Sequence, residues 1–266
     1  MKTAIKLVII YFGMQILGLT LVAIPCSLYS FATTGIISDS QQTMMAPSLL
    51  LSIIMMAFYL WKRGYISKEK ETWSIVSPGY LIQTVVISLS GIWLLDVLGS
   101  HLQLPDIMKE SFDVMQSGWV GIFSIAIMGP VLEELLFRGA ITKALLQHYS
   151  PTKAILFSGL IFGVFHVNPA QVIGAGLIGL LLAWIYYKTA SLIPCIVLHI
   201  LNNSLSVYLN IKYPDLENLN QLVGNTHLHL GLTVVAGMLF IGAYFQMKQT
   251  ARPNWWKKET TKTTTL

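Results

Sequence analysis

WVGIFSIAIMGPVLEELLFRG, residues 119–139, decides the fold. Twelve residues without charge, 119–130, run into two adjacent glutamates, Glu133 and Glu134, and an arginine, Arg138. In a soluble protein this would be a core helix reaching water at its end. The rest of the chain argues against that setting. Of its 266 residues, 54% are hydrophobic and only 11% are charged, and mean hydropathy is +0.64. A soluble domain usually carries about 25% charged residues. The deficit extends over the whole length, which implies an all-α, polytopic membrane protein rather than a soluble enzyme with one anchor.

A membrane-crossing helix needs about 20 largely apolar residues. Eight segments approach this: 5–30, 45–61, 80–101, 117–138, 153–168, 170–187, 192–210 and 228–247. Charge, proline or glycine marks the breaks, as in WKRGYISKEKET, HYSPTK and KYPDLEN. The basic start of the chain resembles a signal peptide. Its apolar run is too long for one and lacks an early small-residue cleavage site, so a retained first helix is expected.

Lysine and arginine set the orientation. Lys2, Lys6, Lys62, Arg63, Lys68, Lys70, Lys143, Lys153, Lys188 and the basic tail fall at alternate breaks, whereas the other loops hold only Lys109 and Lys212. Both termini are therefore expected in the cytoplasm of a multi-pass cell-membrane protein. Trp255 and Trp256, beside lysines, read as an interfacial anchor. The net charge of +5 is a topology signal, and no aromatic–basic pattern points to nucleic acid. Cys26 and Cys195 read as small hydrophobes. In the fifth and sixth segments, Gly159-x-x-x-Gly163 and Ala175-x-x-x-Gly179-x-x-x-Ala183 predict close helix packing.

The polar residues inside apolar segments carry the functional signal. An ionised group there costs roughly 2.5–3.5 kcal/mol on insertion scales. Glu134 and Arg138 are four apart, share a helix face and can pair. Glu133 lies about 100° round the helix and lacks that partner. The plainer reading of Glu133 is a solvated helix end. His166 follows the Ser150–Pro151 break by 16 residues, and Glu133 precedes it by 17. An antiparallel hairpin would place both about 25 Å from the turn, provided the fourth helix continues past Arg138. His199 and Asn203, in HILNN, share a face of the seventh segment. Their plainer reading is helix–helix hydrogen bonding. An untilted bundle would leave His166 and His199 about 10 Å apart in depth, so tilt or an uneven helix start must close that gap. No Ser–His or Cys–His nucleophile is evident, HExxH is absent, and no metal or cofactor is expected.

EELLFR (133–138), FGVFH (162–166) and HILNN (199–203) read as EExxxR, FxxxH and HxxxN. This ordered trio resembles the CPBP family, the CAAX protease and bacteriocin-processing peptidases also called ABI proteins. The resemblance covers about 118–210. It divides the chain into N-terminal helices (1–117), a four-helix catalytic core (118–210), a loop and last helix (211–247) and a basic tail (248–266). It implies a metal-independent intramembrane glutamic endopeptidase. Glu133 would activate water with help from His166, His199 and Asn203 would form the oxyanion hole, and Glu134 and Arg138 would support them. The implied substrate is an apolar, membrane-associated or lipidated peptide, in CAAX-type cleavage, peptide maturation or bacteriocin self-immunity. Two other classes remain open at this point: a proton-coupled transporter, and a non-catalytic immunity or scaffold protein.

Overall fold

The computed structural model describes residues 1–35, 41–250 and 255–257. Helices α1 (Lys2–Thr34), α2 (Gln41–Lys62) and α3 (Pro78–Leu102) precede a short amphipathic α4 (Lys109–Gln116). A long helix, α5, runs from Trp119 to His148. Then come α6 (Pro151–Phe165), α7 (Pro169–Thr189), α8 (Ile193–Lys212), the single turn α9 (Leu219–Val223) and α10 (Thr226–Lys248). Among the described residues there is no strand.

Local chemistry explains the boundaries. Proline opens α3, α6 and α7, where its missing N–H has no helical partner to lose. The Ser77 side chain accepts from Tyr80 N and caps α3, and Gly35 ends α1 at φ 71°, a left-handed conformation that favours glycine.

The outer helices turn large apolar side chains outward. Ile9, Ile16 and Leu28 on α1 and Val234, Met238 and Phe245 on α10 are exposed. With no polar face to meet water, these surfaces fit a lipid solvent, and the chain is a multi-pass membrane protein. Among the described residues, six helices are long and apolar enough to cross: α1, α2 from Met44, α3, α5, α7 and α10. Two of the eight expected segments fall short of that combination of length and apolarity. The fifth segment, α6, is apolar but only 15 residues long. The seventh, α8, has 20 residues but gives up apolar length to His199, Asn202, Asn203 and Ser204.

The core joins α5, α6 and α7 and is completed by α1 and α2 on one side and α3, α8 and α10 on the other. The glycine seam appears where the small-residue spacing predicts it. A Cβ on Gly159 would lie 3.0 Å from Leu180 N, one on Gly163 would lie 2.6 Å from Val172 O, and one on Gly179 would lie 3.0 Å from Phe162 Cβ. Gly18 brings α1 equally close to Ser52 of α2. Trp255 and Trp256 pack against the chain itself. Trp255 Nε1 donates to Tyr187 O at 3.0 Å, and Trp256 is buried against the Tyr187 ring. The two indoles dock on the end of α7, where they gain contact area and a carbonyl partner.

Candidate active site

The long α5 does not keep one helical geometry. Ser124–Met128 and Leu135–Thr142 form wider π-type turns, and the α-helical turn Gly129–Glu134 between them carries both glutamates. Pro130 accounts for the first wide turn. It has no N–H for the carbonyl four residues back, and its ring crowds that carbonyl. Such widened turns frequently mark functional positions, because they re-aim side chains and free backbone carbonyls.

Glu134 and Arg138 form the expected ion pair, with Arg138 Nη1 donating to Glu134 Oε1 at 2.9 Å. Both side chains are fully buried. Two carriers of charge survive there only with further partners. Arg138 Nη2 donates to Gly179 O at 3.1 Å, which the bare glycine leaves accessible on α7, and the guanidinium lies 4.5 Å from the Phe162 ring centroid. Glu134 Oε1 also takes His199 Nδ1 at 2.7 Å.

Glu133 does not pair with Arg138, as the spacing foretold. It does not point to an unrelated part of the bundle either. His199 lies between the two glutamates, with Nε2 3.7 Å from Glu133 Oε2. That oxygen is buried and has no hydrogen-bond partner among the described residues. The side chain as a whole keeps 15% exposure. One imidazole therefore faces a carboxylate on each nitrogen, one bonded and one beyond direct hydrogen-bond range.

The bonding fixes protonation chemistry. An ionised Glu134 can only accept, so His199 Nδ1 carries the hydrogen. Nε2 is then a lone pair in the neutral ring and a donor in the imidazolium. His166 caps the end of α6, and its Nδ1 lies 2.8 Å from Phe162 O. A carbonyl oxygen only accepts, so here too Nδ1 holds the hydrogen and Nε2 of the neutral ring is free to accept.

Phe162 is the common wall. Its ring centroid is 4.8 Å from that of His166 and 5.7 Å from that of His199. Both histidine rings, one on α6 and one on α8, therefore pack against the same phenyl ring. Asn203 sits one turn beyond His199 but engages neither glutamate. Its Nδ2 donates to Ile125 O at 3.1 Å, a carbonyl in the first wide turn, and its Oδ1 accepts from Asn202 Nδ2.

Several contributors were invisible to residue spacing. Phe162 was present only as the first letter of FxxxH, and Gly179 only as part of a packing stripe. Tyr11 and Gln15 of α1 carried no signal at all. The Tyr11 ring lies 4.4 Å from that of Phe165 at a 51° tilt, and its hydroxyl lies beside the Gln15 side chain and within electrostatic reach of Glu133. Among the described residues, no three His, Cys, Asp or Glu side chains are grouped to hold a metal ion.

With this geometry in place, comparison with known proteins becomes informative. Residues 115–205 match the family model described as Type II CAAX prenyl endopeptidase Rce1-like. A Bacillus subtilis (strain 168) protein carrying the name "Putative membrane peptidase YdiL" is 30% identical over 100 residues. That alignment covers 38% of this chain and 41% of the relative, so it spans well under half of either. No solved structure matches. The resemblance to the CPBP peptidases is borne out over the segment that contains all six motif residues.

Proposed function

We propose that the protein is a metal-independent intramembrane endopeptidase in which Glu133 activates water for direct attack on a peptide carbonyl. One observation carries the reading: the buried Glu133 Oε2, without a hydrogen-bond partner among the described residues, stands opposite a histidine whose other nitrogen is locked by the Glu134–Arg138 pair. A buried polar atom without a partner costs free energy, and it is retained where a reacting molecule supplies the missing bond.

The reaction follows from the residues. Glu133 takes a proton from water, and the hydroxide oxygen bonds to the peptide carbon. His166, with Nδ1 committed to Phe162 O, offers Nε2 to orient that water. The carbonyl becomes an oxyanion, to which His199 Nε2 and the second amide hydrogen of Asn203 donate. For His199 this role belongs to the imidazolium, in which both ring nitrogens carry hydrogen. Glu133 then returns its proton to the amide nitrogen, the C–N bond breaks, and an acid and an amine leave. The substrate class is an apolar or membrane-associated peptide, with prenylated CAAX-type peptides as its first members to try. We also propose that both termini face the cytoplasm, from the placement of lysine and arginine, and that 118–210 is the catalytic unit.

The test is cleavage of a quenched-fluorescent peptide library and a farnesylated CAAX peptide by the purified protein in detergent. Wild type, Glu133→Gln and chelator-treated wild type are compared. Cleavage that survives chelation and vanishes in the variant is expected. Chelator-sensitive cleavage, or equal cleavage by the variant, would overturn the mechanism.

A further inference from the structure

His166 leaves its helix through an unusual turn. Asn168 N donates back to His166 O at 2.6 Å, closing a three-residue turn centred on Val167 at φ 60°. Turns of this hand are rare and strained, and a β-branched residue at positive φ is an outlier. Such strain persists only where the surroundings over-determine it.

The surroundings here are specific. Asn168 is fully buried and occupies the N-cap position of α7. An asparagine there ordinarily accepts from the first turn of its own helix, but Asn168 makes no such bond. Its Oδ1 instead accepts from Ile107 N at 3.2 Å, and its Nδ2 donates to Asp106 Oδ1 at 2.8 Å. Asp106 Oδ1 is braced by Met108 N at 3.0 Å. Beside it, Ala170 N donates to Pro105 O at 3.2 Å. Segment 103–108, which links α3 to α4, is thus tied at three points to the turn behind His166. Pro169 keeps Asn168 extended, so the turn cannot relax by continuing α6.

We propose that this Asp106–Asn168 strap is a positioning device: it holds Val167 in its strained turn and so sets the direction of the His166 imidazole against Phe162. The proposal rests on the peptidase reading. Asn168 and Asp106 are positioning residues, since they touch no reacting atom.

Two readouts test it, on the full chain in detergent. The first is turnover of the library's best-cleaved peptide. Asn168→Ala and Asp106→Ala should lower kcat by about 100-fold, the scale of a 1 Å misplacement, with KM little changed. Asp106→Asn preserves the acceptor and should retain activity. Adding Val167→Gly to Asn168→Ala should recover much of the loss, because glycine adopts positive φ without strain. The second readout needs no turnover: carbethoxylation of His166 by diethyl pyrocarbonate, followed by mass spectrometry, should be several-fold faster in both alanine variants. Unchanged His166 reactivity in Asp106→Ala would overturn the proposal, as would wild-type kcat in Asn168→Ala or failure of glycine to rescue it. Loss of cleavage in wild type would instead strike the peptidase reading, leaving the reactivity arm to decide the strap.

Discussion

The two histidines beside Phe162 are held by opposite means. His199 stands within α8, almost fully buried, with a carboxylate facing each ring nitrogen. His166 stands at a helix end, half-buried, with one nitrogen on a backbone carbonyl and a strained residue next to it. Charge fixes the first and backbone geometry fixes the second. A low-dielectric interior makes charge a strong positioning force, but it also makes every member of the network costly to remove. A strained turn holds a group without adding charge, at the cost of needing an external strap. The site therefore has a dry, electrostatic half and a half that depends on a distant loop.

The comparison breaks most decisively at Glu133, the proposed base. Glu133→Gln keeps the shape and removes the base. Turnover should fall by about 10²–10⁴-fold, the range for general-base catalysis, while the detergent melting temperature stays near wild type. A variant that melts much lower would mean that Glu133 is a structural member of the His199 network.

The next effect falls on the electrostatic half alone. Arg138→Ala leaves the Glu134 charge buried beside His199. Breaking a buried pair in this way costs about 3–5 kcal/mol, so a large drop in thermal stability is expected together with lost activity. Replacing Arg138 by Lys should restore part of the stability. It should not restore the joint contact with Glu134, Gly179 O and the Phe162 face, because an ammonium lacks the planar fork. Wild-type stability for Arg138→Ala would show that charge does not fix this half.

Asn203→Ala tests the chemistry assigned to α8. A lost oxyanion donor typically lowers kcat by about 10²–10³-fold. The Ile125 carbonyl would also lose its partner, which costs about 1–3 kcal/mol. A stability loss of that size with unchanged kcat would make Asn203 a helix-packing residue, the plainer reading of its spacing.

The same contrast explains what was legible in the sequence. The electrostatic half announces itself, because EExxxR and HxxxN place ionisable and amide groups at helical spacings inside apolar runs. The all-α membrane architecture was equally visible, since it rests on composition. Even there, spacing implied that Glu133 would point elsewhere, whereas His199 bridges the gap between neighbouring glutamates. The wide turns of α5 contribute to this, and only Pro130 hinted at them. The other half was not legible. Asp106 and Asn168 are 62 residues apart and joined by tertiary hydrogen bonds, and no local pattern encodes φ 60° at a valine. Tyr11 and Gln15 reach the site from α1, far outside the motif segment, for the same reason. Local periodicity reports which face a residue shares, and it is silent on which distant helix covers that face.

The smallest expected effect tests whether the halves move together. Gly163 precedes His166 by three residues on α6, and its added Cβ would meet Val172 O at 2.6 Å and Gly176 Cα at 3.0 Å. Both are backbone atoms, so neither can swing aside, and α6 must shift away from α7. Overpacking of this kind costs about 1–3 kcal/mol. Gly174 on α7 is the control: a Cβ there meets nothing within 4 Å, and alanine should stabilise the helix by about 0.5–1 kcal/mol. The shift in Gly163→Ala would carry Phe162 and His166 with α6, while Gly179, the carbonyl partner of Arg138, remains on α7. Melting curves should therefore separate the two variants in sign. Carbethoxylation should rise at His166 more than at His199, whose Nδ1 stays bonded to Glu134 on α5. Equal rises at both histidines would mean that the site is one rigid unit and that the division into a charged half and a strapped half is false.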